Sequence, residues 1–376
     1  MSDLLVVAGE ASGDRAAAAV LHALGPGVAV HAFGLGGSSL EACGAELVTD
    51  LRAITALGVT DVAARACAIR RAYVTLARAA RKRKPRAALL VNYTEFNSLL
   101  AARLHAQGVR VLWYGAPQIW AWRSSRAKPL RRSVDRMAVM FPFEEALWRD
   151  QGVDAEYVGH PAREGVRLDR KAARASLGLT PYAKAVAILP GSRPHEVRRL
   201  LEPMLEAYER LRRDRASIDG RVLLAPSLDE KTRADAVGAC QRLGVEVVHV
   251  DGRVGAAPCL GAFDIALCAS GTAALEAALA RAIPVIAYRI DPLTAAAAKA
   301  LLKTPRIALP NILLKQPTFP ELLQDQAQPR KMAQAMARVL DGRNALLRAC
   351  DAVDQALGPR VTPSRDVARI LHPWLV

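Results

Sequence analysis

Two doubly wound α/β domains are predicted for this chain by three observations. Its 376 residues exceed one typical domain and suit two, each able to close its own apolar core. Short β-rich runs alternate with longer Ala/Leu/Arg segments at helical spacing, the pattern of parallel sheets covered by helices. A glycine and a proline interrupt that pattern at Gly159-His160-Pro161, so it falls into two halves.

In the first half, strands are expected over residues 4–7, 30–33, 87–91, 111–114, 137–140 and 156–158. The second half repeats the series at 185–189, 221–224, 245–250, 265–268, 284–288 and 306–309. Each set is enough for one Rossmann-like sheet. The expected division is a first domain over 1–160, a second over 161–345, and C-terminal helices over 346–376 that cross back onto the first domain or onto a partner. No internal repeat or low-complexity segment competes with this reading.

Hydrophobic residues make up 52% against 23% charged, which favours packed structure over disorder. The net charge of +16 points to anionic partners: nucleic acid, phosphorylated small molecules or an anionic membrane surface. A nucleic-acid role is disfavoured, because aromatic residues are only 5% and neither an RRM-like nor a zinc-finger pattern occurs. The six cysteines are scattered without a CxxC pair, as in a reducing cytoplasm. The opening MSDLLVVAGEASGD reads as a strand entering a glycine-containing loop, not as a signal peptide. No run approaches the roughly 18 apolar residues that span a bilayer, so membrane contact is expected to be peripheral.

Three strand-to-helix junctions can carry chemistry. Ser270-Gly271-Thr272 follows IALCA and opens TAALEAALA, and the N–H groups and dipole of such a helix start attract phosphate. Glu276, one turn further on, can accept hydrogen bonds from ribose hydroxyls. Read alone, the same string also serves as an ordinary N-cap with an exposed helix glutamate. In LPGSR, Gly191 and Ser192 permit a tight turn from which Arg193 can aim its fork at phosphate oxygens, or simply be solvated. Gly9-Glu10-Ala11-Ser12-Gly13-Asp14 has the same strand-loop-helix position but does not match GxGxxG, and no GxxxxGK[ST] occurs. Nicotinamide, flavin and P-loop ATPase chemistry are thereby disfavoured, as are zinc hydrolysis and α/β-hydrolase chemistry, for lack of paired histidines and of a GxSxG elbow.

Residues 63–86 hold nine Arg or Lys and no acid, interleaved with Ile69, Tyr73, Val74 and Leu76. Such a stretch is either a surface helix with its apolar face in the core or a landing surface on anionic lipid; the missing acid favours a membrane-facing or anion-facing role.

In order and separation, VAGEASGD, APQIWAWR, FPFE, VGHP, LPGSR, ASGTAALE, YRIDPLT, LPNIL and PELLQ resemble the lipid-A-disaccharide synthase family across almost the whole chain. The WAWR string (Trp120, Ala121, Trp122, Arg123), together with LPGSR and SGTAALE, is the most specific part. The resemblance implies a GT-B architecture similar to MurG, two Rossmann-like domains facing a cleft. It implies an inverting hexosyltransferase, peripheral on the cytoplasmic side of the inner membrane, taking UDP-2,3-diacylglucosamine and 2,3-diacylglucosamine 1-phosphate (lipid X) to lipid A disaccharide 1-phosphate and UDP. It also allows a homodimer.

By position, the resemblance assigns Ser192, Arg193, Ser270, Gly271 and Thr272 to the diphosphate, Glu276 to the ribose and Asn311 to the donor pocket. No cofactor or metal is expected, since a helix dipole and basic side chains can neutralise the leaving diphosphate. The family's usual aspartate after the strand expected at 87–91 is here Asn92, in VNYTEFN, which can orient a hydroxyl but not take its proton. Glu95 then becomes the preferred base, with Glu10 the other candidate. Asn92 also motivates a rival, a catalytically impaired homologue that binds UDP-sugar or phospholipid; a related UDP-sugar transferase or epimerase on the same fold is a further alternative.

Overall fold

A computed structural model describes residues 2–25, 27–52, 62–121, 124–215, 217–291 and 306–376. Trp122, Arg123 and most of the DPLT stretch therefore lie outside the described residues. The chain forms two compact units, Met1–Glu164 with Gly358–Val376, and Gly165–Leu357.

The first unit carries β1 (Ser2–Ala8), β2 (Val30–Gly36), β3 (Glu46–Asp50), β4 (Ala87–Val91), β5 (Arg110–Tyr114), β6 (Arg136–Val139) and β7 (Ala155–Tyr157). They pair in parallel in the order β3-β2-β1-β4-β5-β6-β7. Continuous apolar runs such as LLVVA and AALLV suit strands covered on both faces. Leu5, Val7, Phe33, Leu90, Trp113 and Met137 are buried there, against Leu76, Leu100 and Trp148 from the covering helices.

The second unit carries β8 (Lys184–Leu189), β9 (Ile218–Leu224), β10 (Glu246–His249), β11 (Ile265–Ala269), β12 (Ile283–Tyr288) and β13 (Glu321–Leu323), in the order β10-β9-β8-β11-β12-β13. At its amino edge the buried Asp264 gathers Arg170 and Arg343, each at 3.0 Å, and accepts the backbone N–H of Ala185. One carboxylate thus ties the start of β11 to β8 and to two helices.

Two edge strands, β3 and β13, are absent from the sequence reading, and the strand expected at 306–309 does not form. The reason is local. The N–H groups of Ile307 and Ala308 donate to the Glu321 carboxylate rather than to a sheet neighbour, and Pro310 then starts the helix Leu309–Leu314. Glu321 itself opens β13, which takes the edge place beside β12.

The helix Val62–Arg83 sends Ala72, Leu76 and Ala80 into the core, with Ile69 and Tyr73 packed against it. Its apolar side is therefore spent on folding, contrary to a wholly membrane-facing reading, while Arg70, Arg71, Arg78, Arg81 and Lys82 stay exposed. Arg83 meets an acid from elsewhere in the chain, Glu46, at 2.8 Å, and lies over the Phe33 ring. No described helix is long and apolar enough to cross a membrane.

The C-terminal helix Pro363–Leu375 belongs to the first unit, where it packs on the helix Ala11–Leu24. Arg163 donates to the carbonyls of Gly358 and Pro359, Ser364 bonds Glu164, and Arg86 holds the Val376 carbonyl. Leu371 is fully buried in this contact. Leu371→Ala is expected to destabilise the first unit by about 2–5 kcal/mol, read as an earlier urea transition than in the wild type.

Candidate functional site

In a parallel sheet every strand ends on the same edge, and ligands collect where the strand order reverses, because the helices leave there to opposite faces. Those reversals fall between β1 and β4 in the first unit and between β8 and β11 in the second. The junctions singled out in the sequence sit at these two places.

In the first unit, β1 runs into Gly9 and Glu10, the N-cap of the helix Ala11–Leu24, whose carbonyl accepts from Asp14 N–H at 2.9 Å. The buried Asp14 turns inward. Its oxygens accept from the N–H groups of Gly37 (2.7 Å), Ser39 (2.9 Å) and Leu40 (3.3 Å), which fixes the glycine-rich loop after β2.

Beyond β4, Asn92 and Tyr93 are consecutive left-handed residues, with φ of 49° and 46°. Such a conformation persists only when its surroundings hold it. Asn92 N–H donates to the Tyr114 carbonyl at 3.0 Å, and the buried Asn97 amide donates to the carbonyls of Asn92 (2.9 Å) and Val91 (3.3 Å). The Tyr93 ring stacks on Phe96 and lies against Gly9, where an added Cβ would fall 2.2 Å from the ring. Only glycine lets the β1 and β4 loops approach this closely. Glu95 lies exposed on the first turn of the helix Thr94–His105 and is paired with Arg126.

Further along the edge, the WAWR and FPFE strings meet. Glu144, buried in the helix Pro142–Asp150, accepts from the Trp120 indole N–H at 2.9 Å and from Phe141 N–H at 3.2 Å. The buried His160 ring lies 5.6 Å from Phe141, and its Nδ1 accepts from Ala162 N–H, leaving the proton on Nε2.

In the second unit, Leu189 of β8 and Cys268 of β11 are register partners, so LPGSR and SGT leave neighbouring strand ends. Their backbones differ. The LPGSR turn is filled from within, since the buried Glu196 accepts from the N–H groups of Ser192 (3.0 Å) and Arg193 (3.2 Å) and meets the Arg193 guanidinium at 3.4 Å. Ser192 is thus bound through its backbone to Glu196, and its carbonyl accepts the Ser227 hydroxyl. The Arg193 side chain remains 44% exposed.

Gly271 is the N-cap of the helix Thr272–Leu279, with φ of 149°, a conformation that glycine alone adopts readily. It has no side chain with which to cap the helix. By contrast, Asp169 and Asp229 cap the helices Arg170–Ser176 and Glu230–Arg242 with their carboxylates. Ser270, Thr272 and Glu276 are partly exposed around this turn.

Asn311 departs from its expected place in a pocket lining. It is fully buried, donating to the Phe319 carbonyl (2.8 Å) and the Glu321 carboxylate (2.7 Å) while accepting from Phe319 N–H (2.8 Å). All its hydrogen-bonding directions toward this loop are used, so its role is to brace the segment around Glu321.

The family model described as lipid-A-disaccharide synthetase matches residues 4–366. The chain belongs to this family. It is 42% identical over 375 residues to the lipid-A-disaccharide synthase of Anaeromyxobacter dehalogenans (strain 2CP-1 / ATCC BAA-258), covering 98% of this chain and 96% of that one. To the synthase of Myxococcus xanthus (strain DK1622) it is 42% identical over 341 residues, covering 89% and 87%.

Among solved structures, Acinetobacter baumannii MurG superposes with a TM-score of 0.56 at 14% identity, covering 99% of this chain and 100% of that one. A UDP-N-acetylglucosamine 2-epimerase of Listeria monocytogenes, described as putative, gives 0.67 at 12% identity, covering 98% and 96%. At such identities the likeness establishes architecture alone, and that architecture is GT-B.

Within a lipid-A-disaccharide synthase framework, the residues that sequence reasoning missed are Glu196, Tyr93, Asn97 and Glu144. Glu196 had a signal: an acid three residues into a proline-started helix is a capping-box position. Tyr93 and Asn97 had none, because their roles rest on contacts with Gly9 and with the strand end.

Burial raises the Glu144 carboxyl to about 7, against hydrogen bonds from Trp120 and Phe141 that lower it. Burial lowers the His160 imidazole to about 4, and the Arg163 charge adds to that. The two signs oppose. Folded Glu144 holds its proton more tightly than the unfolded chain, so its contribution to stability falls as pH rises from 4.5 to about 7. His160 folds neutral, so its contribution rises between about 4 and 6.5. Glu144→Gln is therefore expected to unmask a urea midpoint that climbs from pH 4.5 to 6.5 and then levels, where the wild type stays flatter and falls towards pH 7.

Proposed function

We propose that this chain transfers the diacylglucosaminyl group of UDP-2,3-diacylglucosamine to the 6-hydroxyl of 2,3-diacylglucosamine 1-phosphate, releasing UDP. The acceptor oxygen attacks the anomeric carbon from the face opposite the diphosphate. The carbon–oxygen bond to the diphosphate breaks, the hydroxyl proton passes to a base, and a β-1,6 linkage forms with inversion.

The observation that carries this reading is the bare helix start at Gly271, set beside the exposed Arg193 on neighbouring strand ends. A helix N-terminus without a side-chain cap, next to a permanently charged fork, is suited to a diphosphate leaving group. Ser270 and Thr272 supply hydroxyl donors, and Glu276 faces the ribose. Charge neutralisation then comes from helix and arginine, without a divalent metal. With the LPGSR turn N–H groups of Ser192 and Arg193 held by Glu196, the arginine side chain rather than that turn's backbone serves the phosphate.

For the base, Glu95 is the carboxylate on the Asn92 loop and Glu10 stands at the adjacent β1 loop; Glu95 takes the proton and Asn92 orients the hydroxyl. The exposed arginines of the helix Val62–Arg83 hold the first unit against an anionic membrane, where the acylated acceptor resides.

Three outcomes test this. Purified protein should release UDP from the acylated pair, and no release by folded protein would overturn the transferase reading. Gly271→Ala, which forces a side chain into a φ of 149°, should weaken UDP binding at least tenfold in calorimetry. Glu95→Gln should lower kcat about a hundredfold or more. A binding-only homologue, the reading that Asn92 favours, would instead show negligible wild-type turnover that Asn92→Asp raises.

A further inference from the structure

One surface on the carboxyl edge of the first unit has no role in phosphate binding or proton transfer. Trp120 follows β5, and Phe141 and Phe143 follow β6. The Trp120 and Phe143 rings meet edge to face at 5.4 Å, and Phe143 stacks on Phe141 at 5.7 Å and 3°. Phe141 is buried beneath, whereas Phe143 is 43% exposed and Trp120 partly so. Large aromatic rings left open on a ligand edge are unusual for folding alone.

The chemistry of this face is restricted. The single polar atom of Trp120, its indole nitrogen, is already donated to buried Glu144, and phenylalanine has none. The exposed part therefore offers apolar contact and no hydrogen-bond donor or acceptor. That suits the hydrocarbon chains of an acylated sugar, which need apolar contact and no hydrogen-bond partner. Position supports the same occupant. β6 lies two strands from β4, about 10 Å from the Asn92 loop, close enough for a chain carried on the reacting sugar.

We propose that the Trp120–Phe143 face is the subsite for a fatty acyl chain of the sugar substrate, with Glu144 a positioning residue that fixes the Trp120 indole. This deepens the transferase reading and rests on it for the identity of the acylated sugar. Glu144 acts through its neighbours: one oxygen holds the Trp120 indole and the other the start of the Phe141 helix, so the rings present one fixed surface.

The experiment compares wild type, Phe143→Ala, Glu144→Ala and Glu144→Gln on substrates bearing dodecanoyl or butanoyl chains, reading kcat/KM by UDP release. Equilibrium binding of both acceptors is measured in parallel. Phe143→Ala is expected to lower the long-to-short efficiency ratio about tenfold, mainly through KM, as loss of a ring's worth of apolar contact requires. Glu144→Ala should lower the same ratio, and Glu144→Gln, whose single amide oxygen can still accept the indole N–H, should restore part of it, which a general loss of stability would not do.

A ratio unchanged in Phe143→Ala, with turnover intact, overturns the subsite. So does a parallel loss of binding to anionic vesicles that contain no substrate, which would make the face a membrane contact. Absent turnover with chain-length-dependent binding that Phe143→Ala removes would overturn the transferase reading and uphold the subsite. Absent turnover with no such binding overturns both.

Discussion

The order reversal within each parallel sheet is the constraint from which the rest follows. Once β1 pairs with β2 on one side and β4 on the other, the helices after β1 and β4 must leave to opposite faces, and the backbone between them is left without a neighbour. The second unit repeats the arrangement with β8, β9 and β11. The two gaps are then used differently. Between β1 and β4 the space is taken by a Tyr93 ring on Gly9. Between β8 and β11 one turn is closed by Glu196 and the other is left bare at Gly271.

That contrast underlies the proposed placing of the diphosphate. Both turns of the second unit carry glycine and serine, and composition alone makes them look equivalent. A carboxylate that accepts two turn N–H groups spends the donors that a phosphate would need, and its own charge repels the phosphate. The same carboxylate also meets the Arg193 guanidinium at 3.4 Å, and that side chain stays partly in solvent. In the proposed reading, anion affinity then comes from the SGT helix start and an arginine held by Glu196, a division of labour between backbone and side chain.

Much of this was legible in the sequence because parallel α/β structure writes itself locally. AALLV, IALCA and LLVVA are strands wherever they occur between helical stretches, and each loop after them could be found by reading to the end of the apolar run. The edge strands escaped because ELVTD and ELL are short and acid-bearing, and pair on one side only. The false strand at 306–309 looked apolar enough, but its N–H groups were claimed by a glutamate more than ten residues away. Asn311 was misplaced for the same reason: its partners Phe319 and Glu321 are distant in sequence, and a buried amide cannot be told from a ligand-binding one by its neighbours.

Asn92 shows how shape and chemistry separate at such a site. Asparagine and aspartate are the side chains that best tolerate a left-handed backbone, because both are short and polar. An asparagine therefore preserves the loop that an aspartate would build: the N–H to Tyr114, the Asn97 clasp and the approach of Tyr93 to Gly9 all involve backbone or neighbouring groups. What it removes is the capacity to accept a proton. Glu95, on the first turn of the next helix and paired with Arg126, is the nearest carboxylate in sequence, and the proposed relocation of the proton acceptor to it would need no rebuilding of the strand end.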